Sequence, residues 1–333
     1  MTQPRTAPAM KISCGFAPGP DTVEHAKIAE SLGYHRVWLY DSPALWQDIW
    51  ARMAQVAEHT ARVELGTAVL IPSLRHPVTQ AAAIATIEDI APGRLSVGLA
   101  TGFTGRRALG QRPLTWKYVR SYVEQIKALL AGEAVEVDGA MVKLIPSPGF
   151  MPPRPIRVPI LLGANGPKGR AIAREIADGI ICSGMPGERG FDTCAVLAFG
   201  TVLDDGEALD SERVKQAAGA ALAVRYHGTY EIDPALLDRL PNGPAWRESV
   251  ERVPADIRHL EVHQGHCVDL SNDHDAQHLD WSQVKEMSFT GTADELRARL
   301  AAIESAGGTE IMYGSLNHDV PRELEAFAKM AGL

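Results

Sequence analysis

The 333-residue sequence is poor in cysteine, and its four thiols, Cys14, Cys182, Cys194 and Cys267, form no CxxC pair and no regular framework. That spacing argues against a disulfide scaffold or a cysteine-based zinc ribbon and fits a reducing, cytoplasmic setting. Long apolar runs are missing as well. Ile156–Leu162 and Ala217–Val224 are the longest, and both fall far short of the roughly 20 residues that cross a bilayer, so no membrane association is expected. Basic residues are scarce: 33 Lys+Arg stand against 41 Asp+Glu, for a net charge of -8. No extended phosphate-tracking surface for nucleic acid is expected from that balance. No GxGxxG follows an apolar run and no GxxxxGK[ST] occurs, which disfavours a Rossmann dinucleotide site and a P-loop. Residues Met1–Met10 carry Pro4 and Pro8 without a basic segment leading into an apolar one. They read as a flexible tail rather than a secretory signal.

What is present is an ordinary globular composition, 45% hydrophobic and 22% charged, which supplies a sizeable core. Short β-branched runs alternate with amphipathic stretches, the pattern of parallel strands covered by helices. Strands are expected at Lys11–Phe16, Arg36–Tyr40, Val63–Ile71, Arg94–Leu99, Arg157–Leu162, Gly179–Cys182 and Glu310–Tyr313, with a further one in Gln216–Tyr226. Helices are expected from Asp21 to Leu32, Asp48–Thr60, Pro77–Ala91, Lys117–Ala131, Lys168 to Ala177, Phe191–Leu203, Thr292–Ala306 and Pro321–Met330. Asp138-Gly139 between two short apolar runs signals a β-hairpin that interrupts the rhythm. Residues Ile232–Pro254 read as loop with short helices. Eight β/α units favour an α/β fold of the (β/α)8 TIM-barrel type with insertions, residues 11–333 forming one domain, over an open doubly wound sheet.

A barrel builds its active site where the strands end, so the residues that follow each apolar run are the candidates. They are Asp41 after the second run, Ala68-Val69 and then Ser73 and Arg75-His76 around the third, Thr101-Gly102 after the fourth, and Ser183-Gly184 after the sixth. Gly163-Ala164-Asn165-Gly166-Pro167-Lys168 after the fifth is a strand-to-helix turn with glycines, outward amides and a lysine. It describes an anion site or an ordinary tight turn. Asp41 is a general base, an acceptor for a ligand N–H or OH, or a helix cap. Thr101-Gly102 presents a hydroxyl and bare backbone to a flat ligand, or is a plain turn. Trp46 and Trp50 suit core packing.

Two stretches carry a family resemblance. Leu65-Gly66-Thr67-Ala68-Val69-Leu70-Ile71-Pro72-Ser73-Leu74-Arg75-His76-Pro77 with Ile84–Asp89 and Gly93-Arg94, and Gly163–Lys168 with Ala177-Asp178-Gly179, resemble the bacterial luciferase-like superfamily. The similarity is to its deazaflavin-dependent branch, typified by methylenetetrahydromethanopterin reductase, and covers about residues 10–185 and 290–315. The resemblance implies an insertion-bearing barrel, usually homodimeric, that binds coenzyme F420, an 8-hydroxy-5-deazaflavin, or alternatively FMN, and exchanges hydride with a small organic substrate. FMN would bring monooxygenase chemistry with O₂. It implies that Asp41, Thr101 and Gly102 line the ring. Gly163, Asn165, Gly166, Lys168, Ser183 and Gly184 would take up the phosphate and side chain. A non-prolyl cis peptide near Ala68-Val69 would back the central ring.

The chain departs from the family in three places. Ser42 and Phe103 stand where the glucose-6-phosphate-oxidising branch has histidine and glutamate, and Gly15-Phe16 carries no carboxylate where the pterin reductases have one. A different set of titratable groups crowds residues 259–278: His259, His263, His266, Cys267, His274 and His278, with Asp269, Asp273 and Asp275. On a helix His259, His263 and His266 share one face. A metal site, a polar substrate wall and a solvated segment are the alternatives, with no metal expected because the spacing matches no zinc motif. His263 or His266 is expected to move the proton that accompanies hydride, since imidazole titrates near neutrality.

Overall fold

The computed structural model describes residues 10–186, 189–314 and 318–333. Apart from Met10, the expected tail lies outside the described residues. The elements are, in order, β1 (Lys11–Phe16), α1 (Thr22–Ser31), β2 (Arg36–Leu39), α2 (Ile49–His59), β3 (Glu64–Leu70), α3 (Pro77–Ile90), β4 (Leu95–Leu99), α4 (Phe103–Arg107) and α5 (Trp116–Ala131). Then come β5 (Val135–Val137), β6 (Ala140–Val142), β7 (Ile160–Gly163), α6 (Pro167–Ile176), β8 (Gly179–Ser183) and β9 (Thr193–Phe199). Helices α7 (Glu212–Ile232), α8 (Gly243–Glu251), α9 (Arg258–Val262), α10 (Asp273–His278) and α11 (Val284–Met287) follow without a strand between them. The chain then runs through α12 (Ala293–Ser305), β10 (Glu310–Gly314) and α13 (Val320–Ala331).

Eight strands close into a parallel barrel in the order β1-β10-β9-β8-β7-β4-β3-β2, with helices around it: the expected (β/α)8 TIM barrel. Its strands are buried on both faces, which is why they read as unbroken apolar runs. Trp38, Leu161, Ile181, Ala195 and Met312 fill the interior. At the amino-terminal end of the strands the buried Glu310 carboxylate accepts from Ser13 Oγ at 2.6 Å, Trp38 Nε1 at 2.9 Å and Arg36 Nη1 at 2.7 Å. Charge is thus fully paired where water is excluded. Outside the barrel, β5 and β6 form the expected hairpin, with Asp138 and Gly139 both at positive φ.

Two expectations are corrected. Phe191–Leu203 is not a helix: Thr193–Phe199 is β9, paired with β8 and β10. A short, wholly buried run carries no periodicity that separates strand from helix, and here the β-branched Thr193 and Val196 point to the observed answer. Gln216–Tyr226 is not a strand but the middle of α7, a 21-residue helix whose Ser211 side chain accepts from the Val214 amide. Its alanine-rich sequence has high helix propensity, and both sides are buried, which hides the 3.6 period.

Helices α7 to α11 form a unit between β9 and α12 with its own apolar core of Leu222, Tyr226, Leu237, Trp246, Val250 and Val262. Gly219 lets α7 meet this layer closely, since a Cβ there would lie 2.4 Å from Leu270 Cδ1. Among the described residues no helix is long and apolar enough to cross a membrane.

Candidate active site at the carboxyl rim of the barrel

The rim begins with the irregularity in β3. Pairing with β4 shifts between Thr67 and Leu70, and the Ala68–Val69 peptide is cis, as the resemblance implied. Thr67 Oγ1 takes over the broken ladder, accepting from the Gly98 amide at 2.9 Å and donating to the Gly98 carbonyl at 3.0 Å. Glycine is required there, because a Cβ on Gly98 would sit 2.3 Å from the Thr67 carbonyl oxygen. Val69 then lies against Gly163, whose absent Cβ would be 3.2 Å from Val69 Cγ1.

Asp41 follows β2 and is not a helix cap. Its buried carboxylate accepts from Arg75 Nη1 at 2.7 Å and from the Ile71 amide at 3.3 Å. Burial pushes the acid up from the usual carboxylate range, against the opposing pull of the Arg75 guanidinium. Arg75 also reaches Asp48 at 2.8 Å, and Asp48 caps α2 through the Trp50 and Ala51 amides. Arg75 is therefore the clamp between two rim segments, a role its place in the sequence left open. Trp46 donates to the Tyr40 carbonyl at 3.0 Å and packs beside Tyr40.

Thr101 and Gly102 lead directly into α4, with Gly102 left-handed at φ 77. Gly105 brings α4 down on the Asp41-Ser42 segment, where a Cβ would meet Ser42 Oγ at 2.9 Å. At the carboxyl ends of the neighbouring strands β7 and β8, Asn165 and Ser183 are locked reciprocally: Asn165 Nδ2 donates to Ser183 Oγ at 2.9 Å, and the Ser183 amide donates to Asn165 Oδ1 at 3.0 Å. The N-terminus of α6 begins at Gly166 with no side-chain cap, and a Cβ at Gly166 or Gly184 would meet nothing within 4 Å. Lys168 is exposed beside it. Free amides, open backbone and a cation together suit a phosphate-bearing cofactor.

The helical insertion supplies the other wall. Helix α9 stops at Val262, so His259, His263 and His266 do not share a helix face; a turn with Gly265 and Cys267 at positive φ carries the last two. His259 faces Gly110, while His263 and His266 turn inward and meet His227 of α7. His227, which directly follows the Gln216–Tyr226 run that read as containing a strand, was not singled out in the sequence. Its Nε2 lies 2.9 Å from Asp275, which also accepts from Trp246 Nε1 at 2.8 Å. His227 Nδ1 and His266 Nδ1 are 2.7 Å apart, and His266 Nε2 stands 3.4 Å from Thr104 Oγ1 on α4. His263 Nε2 is 3.4 Å from the Glu231 carboxylate without hydrogen-bond alignment, and its Nδ1 has no partner. One ring nitrogen from each of the three histidines lies within 4.8 Å of the others. Burial holds His263 below the usual imidazole range and His266 well below it. Arg107 of α4 pairs with Glu231 at 2.8 Å, so this wall is fastened to the rim.

A closed parallel barrel with an anion cradle at its carboxyl rim and a buried histidine cluster packed against α4 defines a (β/α)8-barrel enzyme. The chain belongs to the family described as luciferase-like monooxygenase, whose pattern matches residues 4–194. It is 26% identical to the 5,10-methylenetetrahydromethanopterin reductase of Methanolobus tindarius, over 87% of this chain and 89% of that protein. It is 28% identical to the F420-dependent glucose-6-phosphate dehydrogenase of Mycobacterium avium (strain 104), over 94% and 93%. In fold it resembles an F420-dependent secondary alcohol dehydrogenase solved with an F420-acetone adduct, with a TM-score of 0.68 at 18% identity, covering 97% of this chain and 98% of that one.

Proposed function

We propose that the protein is an F420-dependent oxidoreductase that exchanges a hydride between ring C5 of the deazaflavin and a small organic substrate. The observation that carries this reading is the cradle formed by the uncapped α6 N-terminus, Gly166, the Asn165–Ser183 clamp and exposed Lys168. Its chemistry fits the phosphate and acidic side chain of the coenzyme. Ala68, Val69, Asp41, Thr101 and Gly102 would line the ring, and Gly163, Asn165, Gly166, Lys168, Ser183 and Gly184 would take up the phosphate and side chain. The coenzyme, when bound, supplies the hydride chemistry. The chain's own residues bind it, orient the substrate and exclude water, with His266 at the insertion wall exchanging the accompanying proton and His263 packed behind it. A homodimer is part of the same proposal, and sedimentation equilibrium checks it.

Fluorescence titration of the purified protein tests the cofactor. Micromolar or tighter F420 binding with weak FMN binding is expected. The opposite preference would move the assignment to a flavin monooxygenase that uses reduced FMN and O₂.

A further inference from the structure

The line Asp275, His227, His266, Thr104 runs from the insertion core to the barrel rim, with His227 Nε2 on both Asp275 oxygens and one polar contact at each later step. Its protonation pattern follows from the donor inventory. The Asp275 carboxylate only accepts, so the proton of neutral His227 is on Nε2, 2.9 Å away, and Nδ1 keeps its lone pair. His266 must then donate from Nδ1 across the 2.7 Å contact, which leaves its Nε2 lone pair facing the Thr104 hydroxyl at 3.4 Å. The rings of His227 and His266 are 25° from coplanar with centroids 5.0 Å apart, so the short contact runs edge to edge with the two Nδ1 atoms facing. That alignment suits one shared proton better than convergence on an ion. Trp246 Nε1 donates to Asp275 Oδ1, which it shares with His227 Nε2 at 3.0 Å, and Glu231 is engaged by Arg107. His263 lies edge-on to both rings and off the line.

We propose that Asp275, His227, His266 and Thr104 form a proton relay that moves the proton exchanged with the hydride between a substrate hydroxyl at the rim and the buried His227–Asp275 pair. The proposal rests on the hydride-transfer reading. In the oxidising direction the substrate C–H bond breaks and its electron pair leaves with the hydrogen to the oxidised deazaflavin. The hydroxyl proton passes through Thr104 Oγ1 to His266 Nε2, and the His266 Nδ1 proton passes to His227 Nδ1. A carbonyl forms on the substrate, and the added positive charge rests on His227 beside the Asp275 carboxylate. Reduction of a carbonyl by the reduced deazaflavin runs the same transfers backwards. The substrate class that fits is an alcohol or the corresponding carbonyl compound. Asp275 and His227 are positioning residues, and His266 is the group that meets the hydroxyl.

Nitrogen-15 NMR of imidazole-labelled full-length protein reads the tautomers without any substrate. The expected pattern is Nε2–H on His227 and Nδ1–H on His266. Asp275→Asn is expected to reverse both, because an amide donor at 275 places the His227 proton on Nδ1 and turns His266 round. Thr104→Val should leave both rings as they are. Should Asp275→Asn unfold, His266→Gln serves instead and should leave His227 as the Nε2–H tautomer. Nδ1–H on wild-type His227, an unchanged His266 in Asp275→Asn, or one equivalent of Zn²⁺ held by the three imidazoles of the purified protein would overturn the relay. F420 titration separates the two readings. Wild type and Asp275→Asn should bind with affinities within about twofold of one another. Failure of the tautomer pattern with intact binding rejects the relay alone, whereas failure of wild type to bind F420 rejects the hydride reading and the relay with it.

Discussion

The two walls of the rim are built by different means. On the barrel side, position is set by backbone: a β3 irregularity braced by Thr67 on Gly98, a left-handed Gly102, and an uncapped α6 N-terminus. On the insertion side, position is set by buried side chains that hold one another, with Asp275, His227 and His266 in series inside a separate apolar core. Backbone geometry suits a cofactor shared across a family. A side-chain cluster changes with few substitutions and suits a substrate.

The sharpest way to break the barrel wall is Arg75→Ala. It leaves Asp41 buried without its cation, and a loss of about 3–5 kcal/mol in urea unfolding is expected, together with F420 binding. The corresponding break in the other wall is Leu222→Ala, which opens a cavity in the insertion core. It should cost about 2–4 kcal/mol, seen as faster amide exchange in α7 and α8 while the barrel strands keep their protection. Gly98→Ala places a methyl on the Thr67 carbonyl, and a loss of about 1–3 kcal/mol with weakened cofactor binding is expected.

Smaller effects sharpen the contrast. Folding holds His263 and His266 neutral by burial, so below about pH 6.5 the unfolded chain binds more protons than the folded one. Stability therefore falls as pH drops through that value. The urea midpoint should decrease from pH 7.5 to 5.5, and less so in His266→Gln. Lys168→Ala should leave the unfolding curve within about 0.5 kcal/mol of wild type and weaken F420 binding by only about 0.2–1 kcal/mol, because the side chain is exposed.

The same contrast explains what was legible in the sequence. Strands such as Arg36–Leu39 and Leu95–Leu99, and the turns that end them, announced themselves because backbone requirements write themselves as glycine, proline and short apolar runs. The Gly163–Lys168 turn was found for that reason, whereas the Ala68–Val69 cis peptide was implied only by the family resemblance. The insertion was harder. An alanine-rich helix buried on both sides lost its periodicity, and with it went His227, the one member of the cluster that lies outside residues 259–278. His263 and His266 were singled out, but the helix face that was to align them ends at Val262, and it is a turn that brings them together. Only three-dimensional proximity could show that Asp275, rather than Asp269 or Asp273, stands behind the imidazoles.

The Glu310 junction bears on how the molecule is made. Ser13 and Glu310 meet across 297 positions of chain, so a ribosome adding about 5–20 residues per second delivers the second partner about 15–60 s after the first. During that interval β1 presents a bare edge, joined by that of β9 once Thr193–Phe199 has been made, and Arg36 waits without Glu310 as its counter-ion. The barrel is sealed by its last strand, and the interval before sealing is when a nascent chain is most exposed to pairing with the wrong neighbour and most in need of a chaperone's cover.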